Sequence, residues 1–389
     1  MAIRPKAIDR AWLNRTLNDL GYPPVQNIEV IQTLWGGYGV LARLCLCDAS
    51  RATPQATSQS TPQATLRATP QATLRATSQV IATANHSIVL KYICPPRSDG
   101  REHPRGFGGA QSHRRKIRSY IVEANFYDRW ADDLNRLGDV CRVAQPIAID
   151  RDSPNDPIDQ TRSGDGMRLF LEDLDASGFD GRPVHPTDSQ IELVLDWLAA
   201  FHARTLTTSV DDGSDDDSLW PIGTYWHLDT RPDEWSALAL NDPHRVHGRR
   251  WDAMLNGCQY RCLVHGDAKI ANFCFDDRRG RVAAVDFQYV GFGCGIKDVM
   301  YFMTSCMDDR RCRECWSSTL NRYFDRLSHY VARFQIAVDI RSLRSEWERL
   351  FPIAWADFNR FLRGWCPDHA KLTPFAQEMT SIAISRGDN

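Results

Sequence analysis

The sequence predicts an α+β chain in two parts: an amino-terminal five-stranded antiparallel sheet with one crossing helix, then a mostly helical carboxy-terminal part. Three observations predict it. Short apolar runs rich in β-branched residues, "IEVIQTL", "VLARLCLC", "SIVLKYI", "RVAQPIAI" and "MRLFLEDL", are confined to the first 174 residues. One long helical pattern, "KIRSYIVEANFYDRWADDLNRL", interrupts them. After "EDLDASGFDGR" helix-period patterns take over, so the boundary falls near residues 172–178, with 1–171 as one part and 172–389 as the other.

The elements follow in order. Residues 8–20 read as an amphipathic helix, with Leu13, Leu17 and Leu20 on one face widened by Ile8 and Trp12. "WGGYG" joins the first two strands, and its Gly36, Gly37 and Gly39 permit a tight turn. An eight-residue repeat over Ala52–Gln79 carries no acid and no aromatic, too little apolar surface to offset its ordering entropy, so it reads as a disordered insert. In the long helix Val122, Phe126, Trp130, Leu134 and Leu137 form an apolar stripe. "SQIELVLDWLAAFHARTL" is a second strong helix, with Ser189 as its candidate N-cap.

Composition excludes several classes. Of 389 residues 42% are hydrophobic and 25% charged, the balance of a globular protein with a sizeable core. A net charge of −2 offers no basic field for nucleic acid. No apolar run approaches the ~18 residues that cross a bilayer, and "MAIRPKAIDRAWLNRTL" lacks a signal-peptide pattern, so a cytoplasmic location is expected. The twelve cysteines then read as reduced packing thiols. Cys312 and Cys315 make a single C-x-x-C, where a structural zinc site would need a second pair. Nothing in the sequence speaks to oligomeric state.

The chemistry concentrates in "CLVHGDAKIANFCF" and "VAAVDFQ". Each apolar segment ends on an acid, Asp267 and Asp286, and two neighbouring buried carboxylates call for a cation between them. Asn272 adds a neutral oxygen. A few oxygen ligands suit Mg²⁺, which keeps several waters and takes other ligands from a phosphate.

H-G-D-x-x-x-x-N followed by D-F resembles the core of the aminoglycoside phosphotransferase and choline kinase families. "VHGDAKIANF", "DFQ" and "GCGIKDVMYF" look most like their ecdysteroid-kinase-like branch. The resemblance implies a two-lobed protein-kinase-like fold and an ATP- and Mg²⁺-dependent kinase acting on a small-molecule alcohol. It implies Asp267 as base, Lys269 as a γ-phosphate contact, and Asn272 and Asp286 as metal ligands. It assigns Lys91, an odd cation among Ile88, Val89, Leu90, Tyr92 and Ile93, to the nucleotide phosphates, and Glu123 to holding that lysine. Gly36, Gly37 and Gly39 would cover the phosphates, although G-x-G-x-x-G is absent.

Phe170, Leu171, Glu172, Asp173 and Leu174 correspond to the segment that pairs with adenine, through backbone more than charge. His265 and Asp298 are implied to brace the loop, and His202 to pack a helix. Trp226, Trp355, Asp357, Phe358 and Trp365 are candidates for the acceptor pocket, with core packing an equally good account of the aromatics. Two alternatives compete. A catalytically inactive nucleotide- or ligand-binding relative is disfavoured by the complete set Lys91, Glu123, Asp267, Asn272 and Asp286. A protein kinase is disfavoured by H-G-D in place of H-R-D and by the absence of D-F-G and A-P-E.

Overall fold

The computed structural model describes residues 8–48, 86–95, 110–151, 166–208 and 218–387. The repeat at 52–79 lies outside them, as do most of the acidic segment near residue 212 and of the loop at 150–166. By proximity the chain parts into two units, Met1–Ile117 with Ala144–Gly178, and Arg118–Val143 with Phe179–Asn389.

The first unit is a five-stranded antiparallel sheet, the α+β arrangement expected for this half. Its strands are β1 (Val25–Thr33), β2 (Gly39–Leu46), β3 (Ser87–Ile93), β5 (Pro146–Asp150) and β6 (Met167–Glu172). Their order across the sheet is β1-β2-β3-β6-β5. Helix α1 (Arg10–Asp19) is capped by Asp9, whose carboxylate accepts from Ala11 N and Trp12 N. It lays Leu13 and Leu17 on Val25, Leu44, Leu46, Ile88, Leu90 and Phe170, and Ile8, Trp12 and Leu20 widen the contact. Along β2 the alternation is strict from Val40 onward: Val40, Ala42, Leu44 and Leu46 point inward and the residues between them are half-exposed. Each fully buried leucine here contributes about 1.5–3 kcal/mol by leaving water.

Two local expectations are corrected between residues 110 and 150, of which 118–143 belong to the second unit. "RVAQPIAI" is not one strand. Arg142–Val143 forms β4, which pairs in parallel with Ala283–Ala284 in the second unit, and only Pro146–Asp150 joins the large sheet. Pro146 has no N–H to donate, so it stands at the start of a strand and not within one. The long helix also breaks. It runs as α2 (Ala110–Arg129) and then α3 (Ala131–Asn135), with Trp130 between them. Val122, Phe126 and Leu134 of the expected stripe are wholly buried.

The second unit is mostly helical. Helix α4 (Asp188–Arg204) starts two residues earlier than Ser189 suggests. Thr187 is the N-cap, accepting from Gln190 N at 3.2 Å while the Gln190 side chain accepts from Thr187 N at 3.0 Å. Helices α5 (Pro232–Ala237), α6 (Pro243–Asn256), α7 (Ile296–Cys306), α8 (Asp309–Arg333), α9 (Ile340–Trp365) and α10 (Pro374–Gly387) complete it, with α5, α6, α7 and α10 packed on α9. Cys258, Cys262 and Cys312 are buried thiols, and Cys315 is half-buried on α8. No described helix is long and apolar enough to cross a membrane.

Small strands position the site. β7 (Cys262–Val264) pairs with β10 (Gly291–Gly293), and β8 (Phe273–Asp276) pairs with β9 (Arg281–Ala284) across the turn "DDRRG". Leu263, Val264, Phe273, Phe275 and Ala283 are wholly buried, so both ends of the polar loop between β7 and β8 are anchored in core.

Candidate active site

The loop from His265 to Asn272 is held by a buried carboxylate. Asp298, on the first turn of α7, is wholly buried. Its Oδ2 accepts from His265 N at 2.5 Å and its Oδ1 from Gly266 N at 3.0 Å, with His202 Nε2 3.2 Å from Oδ2. The other ring nitrogen of His202 bonds the Tyr323 hydroxyl at 2.8 Å. His202 is thus a satisfied core histidine. His265 also supports the loop: its Nε2 lies 3.0 Å from Val285 O and its Nδ1 accepts from Asp267 N at 3.3 Å.

Gly266 makes the turn with φ +77°, and a Cβ there would sit 2.0 Å from Tyr289 O. No side chain fits so close an approach, and glycine alone adopts that conformation without strain.

Asp267 follows, nearly buried. Two donors converge on its Oδ2, Lys269 Nζ at 2.8 Å and Asn272 Nδ2 at 3.1 Å. Burial depresses the Lys269 pKa, but the adjacent Asp267 charge and hydrogen bond outweigh it and hold the ammonium above its ordinary value. Asn272 Nδ2 also donates to Asp267 O at 2.8 Å, so both amide hydrogens are spent on Asp267 and Oδ1 turns away from it.

Asp286 stands just beyond β9. The ladder Phe273↔Ala284 and the bond Val285 N to Asn272 O, 2.9 Å, tie the backbone before Asp286 to Asn272 itself. Asp286 adopts φ +68°, uncommon for a residue with a side chain and maintained only where the surroundings over-determine it. Gln288 Nε2 donates to its Oδ1 at 2.6 Å. Asn272 Oδ1 and the Asp286 carboxylate are hard oxygen donors. Among the described residues no three His, Cys, Asp or Glu side chains gather into a metal cage. Two protein oxygens fit Mg²⁺, which takes its remaining ligands from water and phosphate.

The other expected residues fall as follows. Lys91 is buried at the centre of β3, opposite Leu41 and Leu169, in the first unit. Glu123 is buried on α2 in the second unit. Gly36, Gly37 and Gly39 all take positive φ in the turn between β1 and β2, and a Cβ on Gly39 would lie 1.9 Å from Tyr92 O.

Phe170, Leu171 and Glu172 lie in β6, and Asp173 and Leu174 begin the turn after it. The two acids are engaged locally. Glu172 accepts from Gln145 N and Ser177 Oγ, and Asp173 from Arg43 Nε at 2.6 Å and Ser87 Oγ at 2.7 Å.

Trp226 and Phe358 pack on each other and on Tyr301. Trp355 is buried against Phe351 and Phe375, and Trp365 stacks on Phe361. Asp357 is closed by Arg360, whose Nε donates to it at 2.8 Å and whose Nη2 donates to Trp226 O at 2.9 Å.

Three residues near Asp267, namely Tyr225, Tyr301 and Lys371, are given no role by the sequence pattern. The Tyr301 hydroxyl, accepting from Tyr225 at 3.2 Å, has its pKa pushed up by burial and then by the Asp267 charge. Lys371, between α9 and α10, lies over the Tyr301 ring and feels the charge of Asp267. Tyr301 sits on the first helix after the loop, whereas Tyr225 and Lys371 reach the site only through the packing of α7 and α9.

Comparison with known proteins adds the following. The sequence model of the ecdysteroid kinase-like family matches residues 244–336. No curated protein matches the chain. Among solved structures, the chain is similar to amicoumacin kinase hAmiN in complex with AMP-PNP, Ca²⁺ and Ami. The identity is 13%, the TM-score 0.46, and 98% of this chain and 94% of that one are covered. It is similar to the GDP complex of aminoglycoside 2′-phosphotransferase-IIIa at 11% identity and TM-score 0.44, covering 98% and 99%. Choline kinase LicA from Streptococcus pneumoniae follows at 10% identity and TM-score 0.39, covering 97% and 98%. The segment that holds Asp267, Lys269, Asn272, Asp286 and Asp298 therefore carries the sequence pattern of the ecdysteroid kinase-like family.

Proposed function

We propose that the protein is a kinase of a small-molecule alcohol that transfers the γ-phosphate of ATP, with Asp267 as base. The observation that carries this reading is the convergence on one carboxylate oxygen: Lys269 and Asn272 both donate to Asp267 Oδ2, on a loop clamped by Asp298.

Asp267, oriented by these two donors, accepts the proton of the acceptor hydroxyl and aims that oxygen. Lys269 keeps a positive charge beside the reacting group, where it lowers the cost of charge developing in transfer. Asn272 Oδ1 and Asp286 would hold Mg²⁺, which when bound neutralises phosphate charge. Lys91 is assigned to the nucleotide phosphates, Gly36, Gly37 and Gly39 to covering them, and residues 170–174 to the base. Catalysis of this kind is mostly positioning and charge neutralisation. The loop suits it, because its polar groups are fixed by buried bonds before any substrate arrives.

The test is incubation with ATP, Mg²⁺ and a metabolite extract, followed by mass spectrometry. A new species heavier by one phosphoryl group is expected with the wild type and not with Asp267→Asn. Nucleotide binding without any such species, or full transfer by Asp267→Asn, would defeat the reading.

A further inference from the structure

The aromatic faces beside Asp267 are already occupied by a cation from the chain itself. Lys371 Nζ lies 4.6 Å from the ring centroid of Tyr301 and 5.6 Å from that of Phe358. It donates to Thr304 Oγ1 at 3.2 Å, which fixes the ammonium at this place. Burial lowers its pKa to about 8, with the Asp267 charge acting the other way, so it carries its charge at neutral pH. Tyr301 and Phe358 are themselves stacked edge to face and backed by Trp226.

An aromatic cluster of this kind, left open, is the usual receptor for a quaternary or primary ammonium, because ring faces are electron-rich and tolerate a weakly hydrated cation. Here the position is filled. A second cation on the same faces would meet Lys371 and, farther along, Lys269. The carboxylate that could offset it on α9, Asp357, is buried and committed to Arg360. What Lys371 offers instead is a donor to an oxygen of the bound molecule.

We propose that Lys371 is a specificity-determining residue of the acceptor site: it turns away ammonium-bearing alcohols and admits neutral or anionic ones, whose oxygens accept from its ammonium. The proposal rests on the kinase reading for what becomes of the alcohol admitted. The selectivity of the aromatic faces is a matter of binding alone.

Tetramethylammonium is the probe, titrated into the full chain and followed by NMR line broadening or calorimetry. Lys371→Met removes the competing charge from the Tyr301 and Phe358 faces while leaving a flexible apolar chain that can give way, and is expected to bind the probe at least tenfold more tightly than the wild type. Lys371→Arg retains the cation and should bind it as weakly as the wild type. Lys371→Gln, with the same expectation as Lys371→Met, serves as the second variant should the methionine chain fail to fold. Equal dissociation constants in the wild type and the uncharged variant overturn the proposal, as does a gain in Lys371→Arg equal to that in Lys371→Met. Phosphoryl transfer plays no part in this readout, so a failure of the kinase reading would show in the mass-spectrometric test and leave this one standing.

Discussion

Asp298→Ala should loosen the loop from His265 to Asn272 by leaving its backbone donors without an acceptor. The carboxylate receives two backbone N–H groups, from His265 at 2.5 Å and Gly266 at 3.0 Å, in a place without solvent. Alanine leaves both donors unpaired, and each buried orphan costs about 1–3 kcal/mol. His202 loses its partner at 3.2 Å as well. A total of about 3–5 kcal/mol follows, the range seen when one member of a buried polar pair is removed.

Asp298→Asn keeps one acceptor oxygen but turns an NH₂ group toward the second donor, so it should fall between wild type and alanine. Urea unfolding at neutral pH measures the difference, and an unchanged m-value ties it to stability alone. Hydrogen exchange supplies the local readout: the His265 and Gly266 amides should exchange faster in both variants. A loss under about 0.5 kcal/mol for alanine, or amide protection unaltered in it, would refute the bracing argument.

Two further outcomes are expected. Gly266→Ala places a Cβ 2.0 Å from Tyr289 O at φ +77°, so the turn must move. Beyond the roughly 1–2 kcal/mol of left-handed strain, the phosphoryl transfer proposed above should fall at least tenfold while the far-UV spectrum stays native, and wild-type transfer would contradict the close-approach reading. Lys371 gives a pH signature: burial, reinforced by Lys269, lowers its pKa from 10.5 to about 8. Between those values the unfolded chain binds the extra proton, so stability from this residue rises with pH across about 8 to 10.5 and is level below it. Compared with Lys371→Met, the wild type should gain up to roughly 3 kcal/mol in relative unfolding free energy over that window, and a difference independent of pH would show that the amine is not buried as described.

Much of this chain is legible because local patterns and burial agree. "SIVLKYI" is bounded as β3, Ser87–Ile93, since an apolar run flanked by polar residues has few other stable arrangements. The loop between β7 and β8 is visible for the same reason: His265, Asp267, Lys269 and Asn272 interrupt a segment whose flanks must be core. Element boundaries are less legible. Thr187 caps α4 instead of Ser189 because the reciprocal bond with Gln190 outweighs a single serine nearer the apolar run. "RVAQPIAI" divides because Arg142–Val143 finds its partner in β9, far along the chain.

The sequence by itself determined the α+β layout, the apolar anchors of the loop, and which residues carry oxygen and nitrogen into it. These depend on period, composition and spacing within short segments. Only the tertiary structure decided that Lys269 and Asn272 share one oxygen of Asp267, that Asp298 holds two backbone amides, and that Asp357 is spent on Arg360. It alone brought Lys371 over Tyr301 and Phe358. The physical reason is that hydrogen bonds and cation–ring contacts act over a few ångströms, and residues remote in the chain come that close only when helix packing closes the core around them.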